Sequence, residues 1–587
     1  MYIQYLYMQR TTPSRLTEIA TRKLSRTALL VVGVLYIFAG LFYRDPWKTD
    51  DLTGLATMLT AFRGQEHAWL LPQIGNYAYA QEGPLLTWIG TLFIEVFSPV
   101  FMLFQAPLEA QITAARLPIF IYFFVIIWAT WYGTYLLARR KECQPLALPF
   151  GGEPNPQDYG RMIADAAVLF IIATIGIVIR MHETSNFPLI MMCQAVAFYG
   201  MARMLDHPIQ GSTLAGLGLG AAFLTRGAIG GVPVLLTLLA LLFFRNFGRQ
   251  QKLWILWSVA LATACCLIWL AAANNTSSYW ANSYVFWNDS LFSLPSPAEI
   301  FSTLRDLSWF LWPTWPFMII ALWNWRKWMD APHIFIPALL LGAAVLTVVF
   351  QKDAFESEYA MLAVPCAILA ALSLPTLRRS FVNTLDWFSI MIMSLAMVAT
   401  WLGWVALNFG WPPKIHHNIT RLLTGFEPQI SVITLILAIG VCAAWIWTVS
   451  WRLRSNPAVL WRGIVLSATG LTLTWMLLAL LWLPSINYNR SYKAVSEELA
   501  TVIQENNIPA DCIRQHGVGL GQRAAFYVFD GLQFAFDAQC RYVLLQTTFE
   551  KIEDEAEPYP DNATLIWQGK RRPDRHEVFR LIQLPAR

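Results

Sequence analysis

Apolar runs alternate with short polar stretches along the first 483 residues of the chain. Nearly continuous apolar runs of about 17 to 25 residues are typical of helices that cross a bilayer. The pattern therefore predicts an all-α polytopic membrane protein with thirteen transmembrane helices. They are predicted at or near 27–43, 118–138, 162–180, 187–205, 212–226, 228–244, 253–273, 309–324, 333–350, 358–375, 385–408, 429–450 and 464–483.

Basic residues collect in every second loop between these runs, and short cytoplasmic loops are enriched in Lys and Arg. The N-terminus is also basic and has no small-residue cleavage site, so we expect the first helix to be retained and to start inside. The run 85–104 is apolar enough to cross, but the triplet Arg139-Arg140-Lys141 would then face outside. We therefore predict that 85–104 lies along the outer interface as a juxtamembrane helix.

This topology leaves two long segments outside, a first loop at 44–117 and a tail at 484–587. The tail contains no spanning run, so we expect a transmembrane domain at 1–483 and a small α/β domain at 484–587. Its pattern predicts helices at 491–506 and 522–529 and strands at 512–515, 541–547 and 578–583.

Composition and charge agree with a membrane protein. Of 587 residues, 56% are hydrophobic and only 13% are charged, and the mean hydropathy is +0.45. A soluble surface of this size would carry many more charges. The net charge of +5 is small and its Lys and Arg residues lie between apolar runs, so we expect no nucleic-acid partner.

The eight cysteines follow the same division of the chain. Six fall in predicted spans or a cytoplasmic loop, whereas Cys512 and Cys540 fall in the outer tail. Two cysteines in an oxidising compartment suggest one disulfide, and two buried free thiols are the alternative. The chain has no CxxC or HExxH spacing, so no metal site is predicted.

The polar break at 44–51, after the first apolar run, contains the first candidate chemistry. Asp50 and Asp51 are adjacent carboxylates where a helix meets water, and either could accept a proton near lipid headgroups. The simpler alternative is that Asp50 caps the helix that starts at about Asp51.

Arginines at the predicted outer ends of three spans are the second candidate group: Arg116, Arg180 and Arg226. Each could extend to the interface from an apolar segment. Three on the same side as the paired acids fit better with a site for an anionic headgroup, because guanidinium matches phosphate with two parallel hydrogen bonds. Further polar candidates on this side are Glu82, His182, Asn186 and Lys352.

Four motifs in order carry a resemblance to a known family. They are Asp50-Asp51, Gly83-Pro84-Leu85-Leu86-Thr87-Trp88, Ala115-Arg116-Leu117-Pro118 and Thr225-Arg226-Gly227-Ala228-Ile229-Gly230. Together they resemble the GT-C glycosyltransferases of the protein O-mannosyltransferase and lipid A aminoarabinose transferase group. The motifs support the resemblance over roughly 28–245. Beyond that region it rests on the helix count and the outer C-terminal domain.

The resemblance implies an inverting transfer of a sugar from a polyprenyl-phosphate donor on the periplasmic face of the bacterial inner membrane. It implies Asp50 as catalytic base, Asp51 as its acidic neighbour, and Arg116 and Arg226 as holders of the donor phosphate. The chain departs from the family where relatives often read E-K-P/G-P-L, because Glu82 is followed by Gly83 and the Lys is missing. Arg226 also replaces a Lys, and Asn186 replaces an Asp.

Other function classes lose support from the sequence. Phosphate-binding glycine loops and nucleophile elbows are absent, and none of the named residues requires a nucleotide, metal or redox cofactor. A transporter or flippase of lipid-linked sugars is the alternative, but it should show matched halves with broken helices. We expect a monomer whose acceptor is a lipid, a glycan or a protein.

Overall fold

The computed structural model describes residues 11–21, 24–47, 49–147, 149, 151–245, 247–352, 354–454, 459–548, 563–574 and 576–585. Helices dominate the described part of the chain. The α-helices are α1 Arg26–Phe38, α2 Asp50–Phe62, α3 Leu85–Phe101, α4 Pro107–Ala138, α5 Pro156–Ala173, α6 Ile175–Arg180, α7 Asn186–Met204, α8 Pro208–Leu241, α9 Arg249–Thr276, α10 Ser278–Ser290, α11 Pro297–Phe310, α12 Thr314–Asn324, α13 Pro332–Phe350, α14 Ala360–Ser373, α15 Arg379–Phe409, α16 Pro413–Leu422, α17 Val432–Arg454, α18 Val459–Arg490, α19 Lys493–Glu505 and α20 Leu520–Asp530.

Eight of the described helices are at least 18 residues long and apolar enough to cross a membrane. Three shorter helices are also apolar: Arg26–Phe38, Leu85–Phe101 and Ala360–Thr376. Every predicted span coincides with at least one helix, so the all-α polytopic prediction is confirmed, whereas the count of thirteen stays a prediction. The eight helices are 107–138, 186–204, 208–241, 249–276, 332–350, 380–409, 432–454 and 461–490.

The helical run Pro208–Leu241 consists of two helices that fold back on each other at Arg226 and Gly227, where the dihedral angles are not helical. A Cβ atom on Gly230 would lie 2.4 Å from the carbonyl oxygen of Ala222. Residues eight apart in one straight helix are about 12 Å apart. The turn at Arg226 therefore separates two antiparallel helices, as the predicted spans 212–226 and 228–244 require.

Two other segments show how local sequence shapes the bundle. The predicted span 162–180 is broken at Thr174, whose extended backbone separates α5 from α6. Helix α3 has 17 residues and packs closely on α2, because Gly90 leaves room for the side chain of Met58. Its 17 residues lie at the lower end of the range that crosses a bilayer, so the interfacial position of 85–104 stays a prediction.

The C-terminal part is the predicted α/β domain. Helix α18 continues past the predicted boundary at 483 and ends at Arg490. The mixed sheet has the order β3-β4-β6-β5, with β3 parallel to β4 and the other pairs antiparallel, and helices α19 and α20 accompany it. Its strands are β3 Ile513–His516, β4 Tyr542–Thr548, β5 Thr564–Gly569 and β6 Glu577–Gln583, and the first loop adds β1 Gln73–Ile74 and β2 Tyr77–Ala78.

The structure joins Cys512 and Cys540 in a disulfide, the pair expected from the sequence. Their Cα atoms are 5.0 Å apart, and the two residues are 28 positions apart along the chain. The bond connects the start of β3 to the start of β4. It therefore ties together the two parallel strands of the sheet.

Charged residues gather at two opposite ends of the bundle. At the C-terminal ends of α4 and α7, Arg139 and Arg140 pair with Asp206 at 3.4 and 2.9 Å. At the other end, near the starts of these helices, lie Arg116, Arg180 and Arg226 with their acidic partners. The helices thus separate a basic end from an end that mixes both charges.

We predict that Arg140 faces the cytoplasm and Asn489 faces the periplasm, because the basic loops should stay inside. Fusions at each position to a reporter active only inside and to one active only outside measure this. The expected result is an inside signal after Arg140 and an outside signal after Asn489. An outside signal after Arg140, or an inside signal after Asn489, would contradict the topology.

Candidate active site

Asp51 lies at the centre of the mixed-charge end and is 1% exposed. Its Oδ2 atom lies 3.4 Å from Nη2 of Arg44 and 3.5 Å from Nη2 of Arg116, and it accepts the backbone N–H of Trp47 at 3.1 Å. Its Oδ1 atom accepts the backbone N–H and the hydroxyl of Thr184 at 2.7 and 2.6 Å. The carboxylate therefore joins the first loop, α4 and the turn before α7.

These contacts fix the charge state of Asp51. Burial by itself would raise the pKa of this carboxyl, but Arg116, Arg44 and the hydrogen bonds from Thr184 outweigh it and hold the pKa below its usual value. A carboxylate with both oxygens occupied and a lowered pKa is a poor proton acceptor. Its chemistry is that of a fixed anion that positions its neighbours.

Asp50 has a different environment although it is the adjacent residue. It is the first residue of α2, and its side chain is 33% exposed. Its Oδ2 atom lies 3.6 Å from Nη1 of Arg180. Thr49 occupies the N-cap position and makes no capping hydrogen bond through its side chain. Asp50 is thus not the cap residue of this helix, and its carboxylate is open to a substrate group.

Arg180 connects Asp50 to two glutamates. Its Nη1 atom lies 3.1 Å from Glu183, which is buried. Its Nε and Nη2 atoms donate to one oxygen of Glu356 at 3.3 and 3.0 Å. The Glu356 side chain is 63% exposed. One edge of this guanidinium is therefore held only by an exposed anion that a substrate anion can replace.

Arg226 lies at the hairpin turn and is held more tightly. Its Nη1 atom is 2.7 Å from Glu82 and its Nη2 atom is 3.0 Å from Glu358, and both glutamate side chains are buried. Its guanidinium also lies 5.4 Å from the ring of Trp287. The hairpin turn needs glycine beside Arg226, because Gly227 has a φ of +59°.

Two of the sequence motifs meet at this turn. The backbone N–H of Gly83 donates to Thr225 O at 3.1 Å, and a Cβ atom on Gly83 would lie 2.1 Å from Leu224 O. Burial raises the pKa of Glu82, although Arg226 and hydrogen bonds from Asn186 and Tyr79 oppose the rise. Glycine at 83 thus lets the first loop approach the hairpin and places Glu82 beside Arg226.

Arg116 does not face open space, although the family resemblance implies that it holds a phosphate. Its side chain is 2% exposed. Its Nη1 atom donates to the carbonyl oxygens of Leu41 and Arg44, and its Nη2 atom donates to Asp51. These two nitrogens are occupied inside the protein, whereas the buried Nε atom has no hydrogen-bond partner among the described residues, so a contact of Arg116 with a phosphate stays a prediction.

Of the remaining predicted residues, His182 and Asn186 are buried and hydrogen bonded, whereas Lys352 lies on the surface. Both ring nitrogens of the buried His182 face backbone carbonyls, Val178 O at 2.5 Å and Tyr36 O at 2.9 Å, so this ring joins α6 to α1. Asn186 is buried and bonds Glu82. Lys352 is exposed, and within the described residues its side chain forms no ion pair with these carboxylates.

Several contributors to the site carry no clear signal in the sequence. Glu183 lies 3.5 Å from Arg44 as well as beside Arg180, and burial raises its pKa to about 7 although both arginines oppose the rise. Asn487, on the last long helix, forms three hydrogen bonds with the segment 43–47. The positive-inside pattern places Glu183 on the outer side with Arg180, whereas Asn487 has no charge or motif in the sequence that singles it out.

Asp51→Asn should destabilise the protein far more than Asp50→Asn. Without the Asp51 charge, the buried Arg116 loses its acidic partner and Arg44 keeps only Glu183, and breaking a buried pair typically costs about 3–5 kcal/mol. The partly exposed pair of Asp50 with Arg180 should cost less than about 1 kcal/mol. The free energy of unfolding of both variants in detergent measures this, and equal losses would contradict the assignment of Asp51 as the fixed anion.

Comparison with solved structures gives matches over nearly the whole chain, among them two crystal structures of the same protein. The chain resembles the crystal structure of ArnT from Cupriavidus metallidurans bound to undecaprenyl phosphate, with a TM-score of 0.65 and 13% identity over 94% of this chain and 97% of that chain. The apo state of ArnT from the same organism gives a TM-score of 0.65 and 14% identity over the same shares. The predicted GT-C fold is therefore confirmed. No protein-family model matches, and no curated protein gives a significant match.

Proposed function

We propose that this chain, which has the GT-C fold, is an inverting glycosyltransferase that uses a polyprenyl-phosphate-linked sugar as donor. The observation that carries the proposal is the partly exposed carboxylate of Asp50, which directly precedes the buried Asp51 in the chain and lies 3.6 Å from the guanidinium of Arg180. The ArnT structure with undecaprenyl phosphate supports a lipid phosphate as the donor class. The acceptor is a lipid, a glycan or a protein on the periplasmic face.

The reaction uses Asp50 as general base. An acceptor hydroxyl attacks the anomeric carbon of the sugar on the face opposite the phosphate, and Asp50 takes the hydroxyl proton. The bond between the anomeric carbon and the phosphate oxygen breaks, and polyprenyl phosphate leaves with the electron pair. General-base assistance of this kind contributes about 10²–10⁴ in rate.

Arg180 is the leading candidate for holding the donor phosphate. Its Nε and Nη2 edge is occupied by the exposed Glu356, and a phosphate can take the same place with two parallel hydrogen bonds. Both terminal nitrogens of Arg226 are held by buried acids. Arg180 thus stabilises the charge that develops on the leaving phosphate, while Arg226 shapes the wall of the site.

The setting is a multi-pass membrane, and the proposed site lies at the end of the bundle away from the basic residues Arg139 and Arg140. Because basic loops stay in the cytoplasm, the site is proposed to face the periplasm of a bacterial inner membrane. The proposed steps need only the donor, the acceptor and side chains of this protein. All of these side chains belong to a single chain, so the proposed enzyme can act as a monomer.

Asp50→Asn should keep donor binding and lose transfer by a factor of at least about 10², because the amide cannot accept the proton. The assay uses purified protein, a polyprenyl-phosphate sugar and membrane lipid acceptors, with donor binding measured separately. Glu66→Gln, an acid-to-amide change at an 84% exposed side chain in the same loop, is the matched control. Full transfer by Asp50→Asn would exclude Asp50 as base, whereas absence of transfer by the unmodified protein would favour a transporter of lipid-linked sugars.

Arg180→Lys should weaken donor binding roughly tenfold, because lysine keeps the charge but loses the planar fork. Glu356→Gln should strengthen binding, because it removes the anion that competes for the same edge. Binding of radiolabelled polyprenyl phosphate to the purified variants measures both effects. Arg305→Lys, at an exposed pair with Asp306, is the matched control. Unchanged binding in Arg180→Lys would remove Arg180 from the phosphate site.

A further inference from the structure

Asn487, near the end of α18, contacts a segment of the chain more than 430 residues away. Its Oδ1 atom accepts the backbone N–H of Asp45 at 3.2 Å and the indole N–H of Trp47 at 3.0 Å. Its Nδ2 atom donates to Tyr43 O at 3.0 Å. One amide side chain thus satisfies two donors and one acceptor of a single short loop.

This loop needs an external support because its backbone is not regular. Tyr43 has a φ of +59°, a left-handed conformation that is uncommon for a residue with a side chain. Such a conformation persists where the surrounding structure determines it. The hydrogen bond from Asn487 to Tyr43 O acts directly at this residue.

Trp47 transmits the support from Asn487 to the carboxylates. The backbone N–H of Trp47 donates to Asp51 Oδ2, and the Trp47 ring lies 3.8 Å from the guanidinium of Arg44, which pairs with Asp51. Arg490, one turn after Asn487, also lies against this ring at 5.8 Å. The end of α18 therefore fixes Trp47, whose indole packs on Arg44 and whose backbone N–H holds Asp51.

We infer that Asn487 is a positioning residue for the proposed transfer: it holds the 43–47 loop so that Asp51 fixes the start of α2 and Asp50 points at the acceptor. The inference rests on the proposed function. Asn487 does not touch the reacting atoms. It acts through Trp47 and Asp51, and the amide is suited to the position because it accepts and donates at once.

The test is a double-mutant cycle in the full-length protein. Asn487→Leu removes all three hydrogen bonds at similar size and should lower kcat roughly tenfold or more with little change in the donor KM. In the Asp50→Asn background the same change should have no further effect, because the group that it positions is already lost. Asn487→Asp, which keeps the acceptor oxygens, should restore part of the activity.

Asn489→Leu is the matched control, because Asn489 lies two residues further on the same helix and its side chain donates to Leu422 O instead. It should leave kcat unchanged. Equal loss of kcat by Asn487→Leu in the native and Asp50→Asn backgrounds would overturn the inference, as would full activity of Asn487→Leu.

A second measurement separates this inference from the proposed function. Hydrogen exchange of the backbone amides of 43–51 should become faster in Asn487→Leu and stay unchanged in Asn489→Leu, whether or not the protein transfers sugar. A protein without transfer but with this change in exchange would refute the proposed function and keep the positioning contact. Unchanged exchange in Asn487→Leu would overturn the contact itself.

Discussion

The buried charge of Asp51 is the constraint on which the mixed-charge end of this protein depends. A carboxylate removed from water is costly unless it is paired and hydrogen bonded. Here Arg44, Arg116 and Thr184 supply that compensation from three segments that are distant in sequence. The requirement to neutralise one charge therefore fixes the relative positions of the first loop, α4 and the turn before α7.

Acids and arginines alternate around this fixed anion. Most of these ion pairs are buried, but the pairs made by Arg180 are open to solvent on one side. Glu82 and Glu358 enclose Arg226, and Glu183 is buried between Arg44 and Arg180. By contrast, Asp50 and Glu356 remain partly exposed on either side of Arg180. The buried pairs hold the charged side chains in place before a substrate binds. Charges fixed in this way can stabilise a transition state without first having to reorient.

The sequence predicted the membrane helices, the C-terminal α/β domain and the paired cysteines, because these features depend on apolar runs, strand alternation and compartment. It also identified Asp50, Arg180 and Arg226 as candidates from their placement at the ends of spans. It could not show that Arg116 and His182 turn inward to bond backbone carbonyls, since the direction of a side chain depends on helix packing. Strand β5 was missed although Thr564–Gly569 pairs with β6. Asn487 was missed because its partners, residues 43 to 47, lie more than 430 positions earlier in the chain.

The separation of Asn487 from Trp47 by 440 positions has a consequence for biosynthesis. At about 5–20 residues per second, a ribosome needs roughly 20 to 90 seconds to make the intervening chain. Throughout that interval, the first loop lacks its hydrogen bonds to α18, because that helix has not yet been synthesised. The charged centre of the protein can therefore reach its final arrangement only after nearly the whole polypeptide has been inserted, so a stalled or truncated product would carry these residues without the support that orders them.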